Sequence, residues 1–241
     1  MKHISILLLL LSLLACNEAD NSKRSSSGYP EVQIASAMRN VMWEGKLGPA
    51  IQLDTISERK GLYGLGPLTY LRGELLIKDG TTFVSRVSSD TSMSVEAAEG
   101  LAAPFFVYAH VQNWQRVNLP DSIRDIPSLE AFIDQQSQNR LRPFAFKLSG
   151  TIQEATIHVQ NLPEGSIVSS PKEAHLGQTN YQLQDEAVDI IGFFSTEHQG
   201  VFTHHDSFVH LHLISQDERQ MGHLDEVRFL AKKMQLFFPI N

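Results

Sequence analysis

His210, His212 and His223 stand in an H-x-H-x10-H pattern, and the first two alternate with Val209, Leu211 and Leu213. Alternation of period two is a strand, with its apolar side chains on a core and both imidazoles side by side on the other face. The polar stretch over residues 215–220, followed by Gly222, is long enough to turn the chain and return His223 to the same point. Three neutral imidazoles on one ion leave a coordination position open, the arrangement of a catalytic rather than a structural zinc. Imidazoles supply a Lewis acid but no proton, so an acid is expected beside them. Glu74 is the candidate, because it opens an otherwise apolar strand in Arg72-Gly73-Glu74-Leu75-Leu76-Ile77. His204, His205 and Asp206 read first as loop residues near the site, with ligand orientation as the alternative role. His110, His175 and His198 carry no pattern that ties them to it. A cupin-type centre also uses H-x-H on a strand, but Glu218 is poorly spaced and Gly222 comes too early for that pattern.

The elements that must hold these groups are mostly strands. Residues 68–71 and 74–77 lead to the turn dipeptide Asp79-Gly80, and residues 81–87 return with β-branched and aromatic side chains. Residues 105–111, 144–148, 152–159, 188–194 and 208–213 complete the set of expected strands. Gly61, Gly64 and Gly66 read as a turn or bulge, since no helix with a Lys-Ser/Thr follows to make a phosphate cradle. Residues 128–135 predict a helix capped by Ser128, with Pro127 and Pro143 punctuating its surroundings. The fold class expected is α+β, with mainly antiparallel or mixed β-sheets in two closely packed subdomains and few helices.

Position in the cell is written at the start of the chain. Residues 1–15 have a basic start and a short apolar run, and the only cysteine, Cys16, follows Ala15. That run is too short to span a bilayer about 30 Å thick, and its form is that of a lipoprotein signal peptide with Cys16 as the lipidated residue. Residues 16–30 are polar and rich in Ser and Asn, a flexible tether, and residues 31–241 form the folded domain. The expected location is the cell envelope, anchored to the membrane through Cys16. With that cysteine used, no thiol remains for a disulfide or a metal site. A net charge of −7, without any Lys/Arg cluster interleaved with aromatics, excludes a nucleic-acid partner.

Gly64-Leu65-Gly66-Pro67-Leu68-Thr69-Tyr70-Leu71-Arg72-Gly73-Glu74-Leu75, followed by Asp79-Gly80, resembles the G-x-G-T-F-x-x-L-D-G-E-L…D-G signature of the alpha-acetolactate decarboxylases. Ile191-Gly192-Phe193-Phe194-Ser195 is similar to that family's V-G-F-x-[ST]-P segment. Val209-His210-Leu211-His212-Leu213-Ile214 and Gly222-His223 resemble its Y-H-L-H-F-[IL] and G-G-H. The resemblance runs from about Trp43 to Phe238 and implies zinc-dependent decarboxylation of 2-acetolactate to acetoin. It implies that His210, His212 and His223 hold Zn2+ and that Glu74 works beside the metal. Where the family carries an arginine thought to hold the substrate carboxylate, this chain has His158, which joins Glu74 as a catalytic candidate. The family also has a C-terminal extension that returns a second glutamate to the metal, and this sequence ends at residues 236–241, where that extension would begin. The implied partner is a small 2-hydroxy-3-keto acid, and a homodimer is one candidate assembly. The alternative implied is a metal-binding family member with a different 2-hydroxy-3-keto acid or with a non-catalytic ligand.

Overall fold

The computed structural model describes residues 31–240, so the expected signal peptide, Cys16 and the tether lie outside the described residues. Among the described residues no helix is long and apolar enough to cross a membrane. The first half of the chain runs through β1 (Gln33–Ala35), α1 (Met38–Glu44), β2 (Ile51–Gln52), β3 (Leu62–Pro67), β4 (Glu74–Lys78), β5 (Thr81–Ser89), β6 (Ser92–Ala97), β7 (Ala102–Ala103) and β8 (Phe106–His110). The second half runs through β9 (Asn113–Asn118), α2 (Ile126–Gln136), β10 (Phe144–Val159), α3 (Pro171–Ala174), β11 (Thr179–Gln184), β12 (Ala187–Phe194), β13 (Val209–Ser215) and β14 (Met221–Ile240). The architecture is the expected α+β class, dominated by antiparallel sheet.

The first sheet has the order β1-β8-β3-β4-β5-β6, and β2 pairs with β7 beside it. The second has the order β11-β10-β12-β13-β14-β9, and β10 also pairs with β14. Strands β10, β12, β13 and β14 therefore close a ring in which each is hydrogen-bonded on both sides, which removes free edges there. Val209, Leu211 and Leu213 point inside that ring, against Phe144, Phe146, Leu148, Ile190 and Phe194. The opposite face of the ring packs on the first sheet, where Ile191, Phe193, Ile214 and Met221 meet Leu65, Leu76, Phe83 and Val107. Each such side chain contributes about 1.5–3 kcal/mol when fully buried. His210 and His212 share the face of Ile214, so they lie in the seam between the two sheets and not in water.

Three expectations are corrected. Residues 68–71 are not a strand but a single helical turn over Thr69–Leu71, with left-handed backbone at Tyr70 (φ 61°) and Leu71 (φ 51°). The chain has to reverse between Pro67 and Glu74, which face each other across β3 and β4, and the turn does this with Leu68 N–H donating to the Gly73 carbonyl. The glycine-rich run is a turn only at Gly61 (φ 68°), since Gly64 and Gly66 lie inside the buried strand β3. A Cβ at Gly64 would come 2.6 Å from the Phe106 ring, so glycine there lets an aromatic ring lie on the backbone. Helix α2 is present, but its cap is Asp125: Ser128 is the third residue of the helix, donating its N–H to the Asp125 carboxylate while its hydroxyl accepts from the Asp125 N–H.

Candidate metal centre

Strand register gathers the histidines. His212 on β13 faces His223 on β14, and His223 faces His158 on the other side, on β10. His210 follows on the same face of β13, two residues from His212. Close approach of β14 to β10 depends on Gly222, where a Cβ would lie 2.4 Å from the His158 carbonyl oxygen. Gly222→Ala is expected to push the two strands apart beneath His158 and His223 and to cost about 1–3 kcal/mol, the usual cost of overpacking. A lower urea midpoint with an unchanged slope is the check. Just beyond, Thr156 faces Glu226 while Ile157 faces Leu224, so Asp225 is a bulge residue without a partner on β10. Its carboxylate meets His158 Nδ1 at 2.8 Å and His223 Nδ1 at 2.9 Å.

Glu74 arrives from the other sheet. It is 3% exposed, its Oε2 lies 3.7 Å from His212 Nε2, and its Oε1 accepts the Gln160 N–H at 3.3 Å. Burial pushes its carboxyl well above the usual range; the Gln160 N–H works against this and the Asp225 charge adds to it. Burial thus favours the protonated form of Glu74, the form that can act as an acid. Burial, then the neighbouring imidazoles, hold His210 and His212 well below the ordinary histidine value, with the Leu75 backbone opposing at His212. Burial likewise lowers His223 against the opposing bond to Asp225. The carboxylate of Asp225 is raised by burial, but the hydrogen bonds from His158 and His223 outweigh this and hold it well below its usual range. These are neutral imidazoles, one of them oriented by a carboxylate, as metal ligands are.

Two observations test whether an ion fits. His210 Nδ1 and both ring nitrogens of His212 are buried without a hydrogen-bond partner. Each orphaned buried polar atom costs about 1–3 kcal/mol, a burden that coordination would lift. The ring centroids of the three histidines are 5.1 Å (His210–His212), 5.1 Å (His210–His223) and 5.6 Å (His212–His223) apart. Imidazoles directed at one tetrahedral ion with bonds of about 2.0–2.1 Å have centroids roughly 5.2 Å apart, so the spacing of these three rings is compatible with one ion between them. Among the described residues, His158, His223 and Asp225 are the group whose donor atoms all lie within 4.8 Å of one another. Those two rings, however, are stacked 4.6 Å apart at 26° and both give Nδ1 to the same carboxylate, so they are arranged to be held by Asp225 rather than to converge on an ion.

The site encloses a cavity of about 30 Å³, lined on one side by Glu74, His158, Gln160, His210 and His223 and on the other by Met38, Met42, Leu71 and Phe105. Helix α1, the 69–71 turn and the segment around Leu162 and Val168 form the apolar cap above it. All five residues singled out in the sequence thus meet at one place: Glu74, His158, His210, His212 and His223. Three more were missed as parts of it, His175, Asp225 and Gln160, and His204, read first as a loop residue near the site, belongs to it. His175 and His204 line the same cavity, and His204 Nε2 is 3.2 Å from His223 Nε2. Burial, then His223, lowers the His204 imidazole to about 4. Asp225 and Gln160 follow His223 and His158 by two positions, a strand spacing that could have revealed them.

Residues 35–238 match the family model described as alpha-acetolactate decarboxylase. Among solved structures, alpha-acetolactate decarboxylase from Bacillus subtilis strain 168 aligns with a TM-score of 0.70 at 19% identity, covering 87% of this chain and 84% of that one. Acetolactate decarboxylase from Bacillus subtilis subspecies spizizenii gives 0.67 at 18% identity, covering 87% and 86%. A Staphylococcus aureus protein of unknown function, similar to alpha-acetolactate decarboxylase, gives 0.68 at 16% identity, covering 86% and 84%. At these identities the likeness to the solved structures establishes a shared fold. Among curated proteins none matches the chain significantly.

Proposed function

Since the chain belongs to the alpha-acetolactate decarboxylase family, we propose that it is a lyase that decarboxylates 2-acetolactate to acetoin at a zinc ion held by His210, His212 and His223. The observation that carries this reading is the meeting of three buried imidazoles beside the buried carboxyl of Glu74, with Glu74, His210 and His223 lining one cavity and His212 packed against all three. Zinc bound there would act as a Lewis acid on the substrate oxygen that gains charge as carbon dioxide leaves. The chain's own residues do the rest. Glu74 gives its proton to the carbon that has lost the carboxylate and recovers one from solvent, so one proton is consumed for each carbon dioxide released. Asp225 fixes the rings of His223 and His158 through their Nδ1 atoms. Met38, Met42, Leu71 and Phe105 keep water from the developing carbanion.

His158 favours a second reading, in which the substrate is a different 2-hydroxy-3-keto acid. In the tautomer that donates Nδ1–H to Asp225, its Nε2 is an acceptor, which the Gln160 amide meets at 3.5 Å and which suits a substrate hydroxyl better than a carboxylate. The imidazole supplies neither the fork nor the permanent charge of a guanidinium. His158→Arg, with Asp225 beside it as a partner, is expected to raise kcat/KM for acetolactate roughly tenfold to a hundredfold, the value of a charge-assisted hydrogen bond. An unchanged kcat/KM would mean that the carboxylate is held elsewhere. The primary test is acetoin and carbon dioxide release from racemic acetolactate. Activity lost on chelation and restored by zinc is expected; a folded, zinc-loaded and inert protein would leave a different 2-hydroxy-3-keto acid substrate or a ligand-binding role. The sequence of residues 1–16 supports the further proposal that the enzyme works at the cell envelope, anchored by Cys16.

A further inference from the structure

The cavity between the histidines has about the volume of one water molecule and is too small for a chelating keto acid. Beside it lies an open groove of about 360 Å³ lined by Glu130, Asp206 and Asp225. His204 and His223 line both spaces, so these two rings form the partition between them. His204 sits on the connection between β12 and β13, not in a ladder, so its ring can move without breaking strand pairing. Its Nε2 is 3.2 Å from the Nε2 of His223, whose other nitrogen is committed to Asp225. Two nitrogens on one tetrahedral ion with bonds of about 2.0–2.1 Å are roughly 3.3–3.4 Å apart, which is the spacing of this pair. Its centroid is 5.1 Å from that of His223 and 6.3 Å from that of His210, so an inward shift of about an ångström would give it ligand spacing to both.

We propose that His204 is a fourth, exchangeable metal ligand, which closes the coordination sphere in the resting protein and swings toward the groove when a chelating oxygen ligand arrives. This rests on the three-histidine centre proposed above. It gives the site two states: a closed one with four imidazoles, and an open one in which the partition is drawn back and the cavity joins the groove. Neither the fourth ligand nor the opening follows from the H-x-H-x10-H pattern, because His204 reaches the centre through a loop.

The test is the full chain loaded with cobalt(II), whose visible absorption is intense in four-coordinate sites and weak when water raises the coordination number. In His204→Ala the absorption is expected to fall severalfold and the cobalt dissociation constant to rise about tenfold or more, as expected on losing one ligand of four. Acetoin, used as a neutral α-hydroxy ketone probe, is expected to bind the cobalt-loaded variant severalfold more tightly than the parent, since it no longer displaces an imidazole. A misfolded variant could not show that gain, and His204→Gln is expected to behave in the same sense. Unchanged absorption, cobalt affinity and acetoin affinity in both variants would overturn the proposal and leave His204 a hydrogen-bond cap on His223. A parent protein that takes up no cobalt would instead bring down the three-histidine centre, and the fourth ligand with it.

Discussion

Replacing His210 and His212 together by Ala is expected to take bound zinc from one ion per chain to none after dialysis against excess zinc. Two of the three ligands leave, and a single imidazole at His223 cannot hold a divalent ion against water, whereas a full set of protein ligands binds zinc with about 10–16 kcal/mol at neutral pH. The same variant separates ligand loss from unfolding. Both positions are buried and three of their four ring nitrogens have no protein partner, so truncation removes orphaned polar atoms along with some packing. The parent should gain about 2.7 kcal/mol of stability at zinc concentrations a hundredfold above its dissociation constant, and the variant should gain none. Metal analysis and thermal melting with and without zinc read both effects. One tightly bound ion per chain in the double variant would relocate the centre to His158, His223 and Asp225, whose donor atoms all lie within 4.8 Å of one another.

Glu74→Gln should leave zinc content unchanged and lower kcat by a factor of about 10² to 10⁴, the usual worth of a positioned general acid. The amide has the shape of the protonated carboxyl and can still accept the Gln160 N–H, so strand β4 and its neighbours have no reason to move. What it cannot do is release a proton to carbon. Stability should hold or rise slightly, because burial disfavours the charged form of this carboxyl and the amide has no charged form to bury. Turnover, metal content and melting temperature measured on the same preparation decide the matter. A kcat equal to that of the parent would make Glu74 a packing residue and leave water as the proton source.

The centre was legible in the sequence where its information is local. The alternation of Val209, Leu211 and Leu213 with His210 and His212 gives strand β13 and its two faces, and the apolar run after Glu74 gives β4. What the pattern did not carry depends on distant pairing. His175 and His204 join the site through loops, and nothing in their neighbours' periodicity indicates it. Strand β14 runs over twenty residues, but the unpaired Asp225 and further register shifts toward Gly150 break its alternation, so it does not read as one element. Residues 68–71 look like a strand because they are apolar, yet Leu71 is apolar because it roofs the cavity and contributes to the cap with Met38 and Phe105. The helix was found by its apolar face, whereas its start was misplaced because Ser128 and Asp125 cap each other and either residue type suits the position.

The bulge at Asp225 has an implication for how this site can change over generations. A residue facing no partner across the ladder can be exchanged without altering the register of any other residue, so position 225 is free to vary while the ring of strands stays as it is. Yet its side chain holds two imidazoles at once, those of His158 and His223. Selection acting on this single codon could therefore reorient both rings together, a route to new chemistry at the cavity that leaves the scaffold untouched.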